Sequence, residues 1–544
     1  MGGARSALPA KRAEHIEVGA DPVPPHRRHE QDRYALSTAT GEKTQSQNWL
    51  LPLSVLIVGA FMSVLDTSIV NVAVPKIQVE LNAAPDNVEW IVTGFTLALG
   101  IVVPLSGWLG LRLGLSRLYI LSMIGFALAS ALCGLAWDLN SMIVFRVLQA
   151  IPGGVLPVVS LTMLYQVVPR ERIGSAMGIY GLGVVVAPAV GPVLGGWLVQ
   201  YVDWRLIFFI NVPIGILGTI AAIVVFPQLR PTSWPKFDLW GFLTIAYGLF
   251  ALLLATSKGQ KWHWGSYPIL ILVVSGALSL ALFVIIELEV DNPLIDLRIF
   301  KVWAFTNSIL LLGIAVTGLF AVLYFLPQFL QVVQGMQALD AGLVLVPAAL
   351  VLVVLMPVAG RIYDRFGPRW PVVAGLAIMA YGSFLMAGMT PDTPRLQLEI
   401  WTFIRNVGVG LAMMPIFASG VSALPAALTS AGSGMNNVMQ RVASSVAVAV
   451  FSSLGASDAA QMMHDRGVLF SGGAQALPGV AAAAEGGPGG LYGLYQTTNL
   501  SVLTETYNNG FYVVGILCVA GMALALTLRS GRVGSSSEPV HVEM

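Results

Sequence analysis

Charge is scarce in this sequence. Only 10% of its 544 residues are Asp, Glu, Lys or Arg, against roughly 25% in a soluble domain. A water-facing surface needs those charges, so most of this surface faces something other than water. The few charges also balance, with 29 basic residues against 28 acidic ones and a net charge of +1. Without a basic excess, nothing points to nucleic acid as a partner. Cysteine is scarcer still. Cys133 and Cys518 both sit inside apolar runs, which reads as two buried thiols rather than a disulfide and leaves the redox compartment open. Signatures of catalysis are missing too. No Gly-x-x-x-x-Gly-Lys-Ser/Thr run occurs, which excludes a P-loop ATPase, and there is no Gly-x-Ser-x-Gly nucleophile elbow. His26 and His29 lie near the N-terminus and the other histidines are scattered, so neither a metal site nor another cofactor is expected.

What is abundant is apolar sequence, 56% of the chain, together with 57 glycines, a residue that suits closely packed membrane helices. Residues 1–48 differ: rich in Pro, Arg, His and Glu, without an apolar period, they read as a disordered tail. A cleavable leader is not expected, because the first apolar run starts only near Trp49 and has the length of a span. Beyond it lie about fourteen runs, each long enough to cross a hydrocarbon core of roughly 30 Å. They fall near 50–75, 87–110, 117–137, 140–168, 172–200, 204–227, 238–257, 266–288, 303–331, 340–362, 370–390, 397–424, 430–455 and 509–529. Backbone in lipid must satisfy its own hydrogen bonds, so runs of this length are helices. The Gly/Ala-rich stretch around 456–508 is expected to be a long external loop.

Basic residues set the orientation. With the N-terminus inside, the cytoplasmic side carries Arg112, Arg117, Arg170, Arg172, Arg230, Lys236, Arg298, Lys301, Arg361, Arg365 and Arg369. The other side carries only Lys76, Arg205, Lys258, Lys261, Arg395 and Arg466. An even number of spans then returns the C-terminus to the cytoplasm.

The chain repeats itself. The loop after the second run places Gly107, Arg112 and Gly114 at the offsets of Gly360, Arg365 and Gly367 after the tenth. The fourth and twelfth runs carry Arg146 and Arg405 at similar depths. Two six-span repeats, runs 1–6 and 9–14, account for this, with two extra spans between them. The expected organisation is a tail over 1–48, a six-helix bundle over 49–228, two inserted helices over 229–300, a second bundle over 301–530, and a cytoplasmic tail over 531–544. Repeated six-helix halves are a transporter architecture, with the substrate site between them near the midplane.

A charge inside a bilayer is costly and is a functional candidate by default. Four lie well inside runs: Asp66, Arg146, Arg405 and Arg441. Glu287, Glu289 and Glu399 lie near run ends, where water is within reach, and Glu89 reads as a surface acid. Arg146 lies roughly 9 Å from the outer surface at 1.5 Å per residue, and Asp66 lies at a comparable depth in the first span. Burial holds a proton on a carboxyl and a neighbouring arginine favours its release, and those opposing influences suit a group that loads and unloads a proton. A static ion pair tying helices together is the competing reading. Gln149, Arg405 and Arg441 are candidates for the cavity or for internal structure. In the fifth run, Pro188, Gly191, Pro192, Gly195 and Gly196 combine small residues that admit a close helix neighbour with prolines that loosen the helix. That pattern reads both as helix packing and as a pliable, sealed contact between halves.

These residues resemble the major facilitator superfamily, and within it the fourteen-span drug:proton antiporters of the EmrB/QacA type, over about residues 50–530. Leu65-Asp66-Thr67 with Asn71 and Pro75 resembles that family's span-1 motif. Arg146 through Gln149 resembles its span-4 motif, whose arginine is linked to proton coupling. The Pro188 to Gly196 run resembles its antiporter motif, and Asp203 through Gly215 the start of its sixth span. The resemblance implies an all-α integral membrane protein of fourteen helices in the cell (plasma or inner) membrane. It implies export of lipophilic or cationic drugs in exchange for protons, by rocking of two halves, with the proton gradient as the energy source. It also leaves room for a periplasmic accessory protein. Charge compensation favours neutral or monocationic cargo. A dedicated exporter of a lipid, siderophore or secreted metabolite fits the same motifs. A polytopic enzyme or sensor needs catalytic residues clustered at one membrane face, and the sequence offers none. One departure stands out: the first loop has Leu111 where the family has aspartate, and Leu115 and Ser116 where it has basic residues, whereas the second copy keeps Asp364 and Arg365. The first loop is therefore expected to close by apolar packing of Leu111, Leu113 and Leu115.

Overall fold

The computed structural model describes residue 2 and residues 49–226, 236–259, 261–290, 293–425, 428–472 and 487–528. The expected tails over 1–48 and 531–544 lie outside these, apart from Gly2. The described residues are helical and turn, without a strand. The helices are α1 (Leu50–Glu80), α2 (Trp90–Val102), α3 (Leu105–Leu113), α4 (Leu115–Gly134), α5 (Leu139–Val167), α6 (Ile173–Tyr201), α7 (Asn211–Val225), α8 (Leu239–Lys258), α9 (Tyr267–Glu289), α10 (Trp303–Gln328), α11 (Ala338–Phe366), α12 (Arg369–Met386), α13 (Arg395–Ser422), α14 (Thr429–Gly472) and α15 (Gly487–Ala525). Eleven are long and apolar enough to cross a membrane, or twelve if α2 and α3, bent by 57°, form one span. The fourteen expected spans are thus matched at eleven or twelve by length and composition among the described residues, and α6 and α14 pack as further long helices among them.

Local chemistry places the boundaries. Pro104, with no N–H to donate, stands between α2 and α3 and accounts for their bend. α3 ends at Gly114 and α11 at Gly367, with φ of 81° and 77°. That left-handed region favours glycine, which is why both copies of the loop keep it. Asp138 caps α5 by accepting from the Ser141 backbone N–H at 2.8 Å, and Ser141 answers through its hydroxyl. Those hydrogen bonds hold the exposed Asp138 carboxyl below the usual carboxylate range.

α1 packs against α5, α6 and α7, α2 against α5, and α4 against α5 and α7. In the second bundle α10 packs against α13, α14 and α15, and α12 against α13 and α15. The bundles meet through α6 on α11 and α13, and through α5 on α14. The inserted helices α8 and α9 pair with each other, and α8 also lies on α2 and on α14. One apolar cluster, including Leu97, Leu253, Phe283, Phe305 and Val421, joins the inserted pair to both bundles.

Two expectations need correction here. The stretch 456–508 is not simply a loop: α14 runs on to Gly472 and α15 begins at Gly487, with 473–486 outside the described residues. Its sequence is too polar to read as a span, but alanine is the best helix former, and polarity does not prevent a helix from continuing past a membrane. The surface acid Glu89 is also less free than expected. Its carboxylate receives Lys258 from the end of α8 at 2.5 Å, and Lys258 itself is buried.

Candidate functional site

At the centre of the first bundle, Asp66 of α1 is fully buried. It lies 2.6 Å from the Arg146 guanidinium of α5, so the two charges singled out by their rarity are in contact. Gln149, one turn along α5, donates to Asp66 Oδ1 at 2.9 Å, and Asn211 of α7 donates to the same oxygen at 3.0 Å. Three helices thereby converge on one carboxylate. Arg146 also donates to Gln149 Oε1 at 2.7 Å and stacks on Phe95 of α2, its guanidinium carbon 3.8 Å from the ring centroid. Behind the cage, Asn211 donates to Ser130 Oγ at 3.1 Å, and Ser130 donates on to the Phe208 carbonyl at 2.8 Å. An apolar cluster that includes Ile69, Ile91, Met142, Trp204 and Phe208 encloses one side. A buried ion pair keeps its charges only where hydrogen bonds satisfy what the partner leaves over, and Gln149 and Asn211 supply them.

Gln149 therefore belongs with Asp66. Asn211, Ser130 and Phe95 were not singled out in the sequence. Asn211 lies inside the motif at the start of the sixth span, which was its available signal; its approach to Asp66 depends on how α7 packs on α1 and α4. Thr67 bonds back to its own helix at the Ser63 carbonyl, 3.1 Å away, while Asn71 and Pro75 are exposed further along α1.

The contact between the bundles is built differently from expectation. The glycines that seal α6 against α11 precede the antiporter motif. A Cβ on Gly174 meets the Gly360 carbonyl at 2.4 Å, and one on Gly178 meets the Met356 carbonyl at 2.6 Å. Gly191 and Gly195 instead face α1, against Ser68 and Ile69, and Gly196 has open space. Gly191 and Gly195 thus pack within the first bundle. The side chains of Pro188 and Pro192 lie outside those described.

Asp364, at the end of α11, completes the seal. Its carboxylate accepts from the Gly174 N–H at 2.7 Å, the Ser175 N–H at 2.8 Å and the Ser175 hydroxyl at 2.6 Å. The N-cap residue of α6, Arg172, offers no side-chain bond of its own. The second bundle therefore supplies the missing cap of a helix in the first, at the end where a carboxylate is favoured by the helix dipole. Gly360 approaches Gly174 so closely that no Cβ fits, and Arg365 stacks on Phe366 at 5.3 Å. The first-copy loop makes different contacts. Gly107 lies against Ser430 of α14, Arg112 stacks on Trp108 at 5.0 Å, and Leu111 is 41% exposed. Apolar closure through Leu111 is not what the fold adopts, because Leu111 lies exposed near the end of α3.

The remaining intramembrane charges stay apart from Asp66. Arg405 is fully buried in the second bundle, where it donates to Ser383 Oγ at 3.1 Å and to the Gly318 carbonyl. Its Nη1, like Nε of Arg441 on α14, is buried without a hydrogen-bond partner. Glu287, expected to reach water, is buried and accepts from the Leu294 and Ile295 N–H groups at 3.2 and 3.4 Å. The chain after α9 folds back over that carboxylate, which a span-by-span reading does not anticipate. Among the described residues no group of three His, Cys, Asp or Glu is placed to hold a metal.

A family model described as Major Facilitator Superfamily matches residues 56–448. The tetracenomycin C resistance and export protein of Streptomyces glaucescens is 30% identical over 480 residues, 88% of each chain. The multidrug export protein EmrB of Escherichia coli K12 is 32% identical over 398 residues, 73% of this chain and 78% of EmrB. YhcA of Bacillus subtilis 168, an uncharacterized MFS-type transporter, is 33% identical over 416 residues, 76% of this chain and 78% of its own. Among solved structures, the proton:xylose symporter XylE superposes with a TM-score of 0.58 at 11% identity, over 89% of this chain and 97% of XylE, a likeness of fold alone. On the family match, the export relatives and the helical architecture together, the chain belongs to the Major Facilitator Superfamily and is a multi-pass membrane transporter rather than an enzyme.

Proposed function

We propose that the protein exports small lipophilic molecules in exchange for protons, with Asp66 as the group that takes up and releases the proton. The observation that carries this reading is the Asp66 cage: one fully buried carboxylate held by Arg146, Gln149 and Asn211 from two other helices. A proton arriving on Asp66 removes the charge that pairs with Arg146 and turns one acceptor oxygen into a donor. The bonds at the oxygen that takes the proton are then weakened. Arg146 keeps Gln149 Oε1 and the Phe95 face as partners, so it has somewhere to go. Protonation thereby changes which contacts hold α1 to α5 and α7, and a rearrangement of α1 changes the bundle that rocks against the other. The α6–α11 seal with its Asp364 cap closes one end between the bundles, which we place at the cytoplasmic side from the basic loops. In this reading the structure is the form open to the outside.

The test is transport in everted vesicles with a panel of dyes, with and without a proton gradient. Asp66→Asn keeps the shape of the side chain and cannot titrate. It is expected to abolish gradient-driven transport at normal abundance, and the parent is expected to stop when an uncoupler is added with ATP present. Normal gradient-driven transport by Asp66→Asn refutes the proton role. A narrower reading, a dedicated exporter of one secreted metabolite, draws on the tetracenomycin C relative, which matches over the largest share of this chain among the relatives compared above. A panel in which a single compound class moves favours it.

A further inference from the structure

The charges in the middle of the two bundles do not cancel. Asp66 and Arg146 neutralise each other. Arg405 and Arg441 remain, and among the described residues neither has an acid partner. The other charged groups on the spans lie toward helix ends, among them Asp340, Glu399 and Glu287. Glu505 lies 20 residues from the end of α15, about 30 Å along the helix and so at the far margin of the core. The spanning interior of the second bundle is therefore cationic.

Arg405 is sealed among α10, α12 and α13. Arg441 is different: its residue is part-exposed although its Nε is buried and unpartnered. Its direction follows from helix geometry. Ser430 of α14 touches Gly107 of the first bundle. Eleven residues on, at about 100° each, Arg441 lies about 20° from the same face and about 16 Å deeper, near mid-core. Met439, whose sulfur lies 3.6 Å from the position of a Cβ on Gly313, faces α10, and Arg441 lies about 200° round the helix from it. The arginine is thus turned away from its own bundle and toward the other. Asn437 and Ser444 share that face, giving it a polar stripe. A guanidinium in that place, with a free donor and no counter-charge, is costly to keep unless something negative comes to it.

We propose that the transported molecule is a lipophilic organic anion, an apolar body with one carboxylate or comparably acidic group, held by Arg441 between the bundles. This rests on the export reading above and replaces the neutral or cationic cargo expected from the sequence. A cation entering the same space meets the uncompensated charge of Arg441, while the one deep carboxylate, Asp66, is buried and already paired.

The experiment uses the full-length protein in proteoliposomes and a matched pair of probes, 1-pyrenebutyrate and 1-pyrenebutyltrimethylammonium, which share an apolar body and differ in the sign of charge. Saturable, gradient-driven transport of the carboxylate over that of empty liposomes is expected. Arg441→Gln is expected to weaken its half-saturation about 10- to 100-fold, the range for one charge-assisted hydrogen bond. Arg441→Lys is expected to recover most of that loss, and both variants to melt no lower than the parent, since no ion pair is broken. Transport of the ammonium probe but not the carboxylate overturns the charge assignment and leaves export standing. Carboxylate transport unchanged in Arg441→Gln overturns the role of Arg441. Transport of neither probe while the dye panel is still exported overturns the anion proposal, and no transport of probes or dyes removes the export reading itself.

Discussion

The Asp364 cap gives the sharpest mechanical prediction. Asp364→Asn removes a negative charge from the start of α6 and leaves one acceptor oxygen where two now take three hydrogen bonds. The new amide N–H₂ then faces backbone or hydroxyl donors that need an acceptor. A hydrogen bond to a charged group contributes roughly 1.5–3 kcal/mol, and a charge at a helix end roughly 0.3–1. Part of both is recovered from the remaining oxygen and from water, because Asp364 is only half-buried. A net loss of about 2–3 kcal/mol from the closed form corresponds to about a 30- to 150-fold shift toward opening of that end. Leu111→Asn, at the matching position of the first loop, changes an exposed side chain that caps nothing, and little shift is expected. The assay is pulsed electron–electron spin distance measurement with labels at Arg117→Cys and Trp370→Cys. Both sites are exposed at that end, one in each bundle, and the native Cys133 and Cys518 are buried. The parent and Leu111→Asn are expected to give one short distance, and Asp364→Asn a second, longer one with reduced transport. Equal distributions for the two mutants refute the cap as a mechanical element.

Gly174→Val places a Cβ 2.4 Å from the Gly360 carbonyl and 2.5 Å from the Tyr363 ring, so the same spin pair is expected to show only the long distance, and a retained short distance contradicts the contact. Arg146→Ala leaves Asp66 buried without its counter-charge and is expected to destabilise the protein by about 3–5 kcal/mol, seen as a lowered melting temperature in detergent; a melting temperature equal to the parent's argues against the buried pair. Lys258→Met loses an ion pair whose acid, Glu89, is 40% exposed, so its cost is expected near 1 kcal/mol, well below that of Arg146→Ala in the same melting series.

Much of the architecture was legible in order along the chain, because a membrane imposes a one-dimensional rule. A run of about 20 apolar residues has one stable form in lipid, and a charge within it stands out by its rarity. Asp66 and Arg146 were found that way, as were Arg405 and Arg441, and the glycines of the two loops by their repeat. Partnership was not legible, because it depends on how helices far apart in sequence face each other. That Asn211 completes the Asp66 cage, that Gly174 and Gly178 rather than Gly191 and Gly195 meet the second bundle, and that Asp364 caps a helix of the other half are all consequences of packing. The same holds for Glu287, covered by the chain that follows it, and for Lys258, sunk against α2. Residue type and spacing determined which groups are costly to bury; the tertiary structure decided which of them are compensated, and Arg441 is the one it leaves turned toward the opposite bundle without a counter-charge.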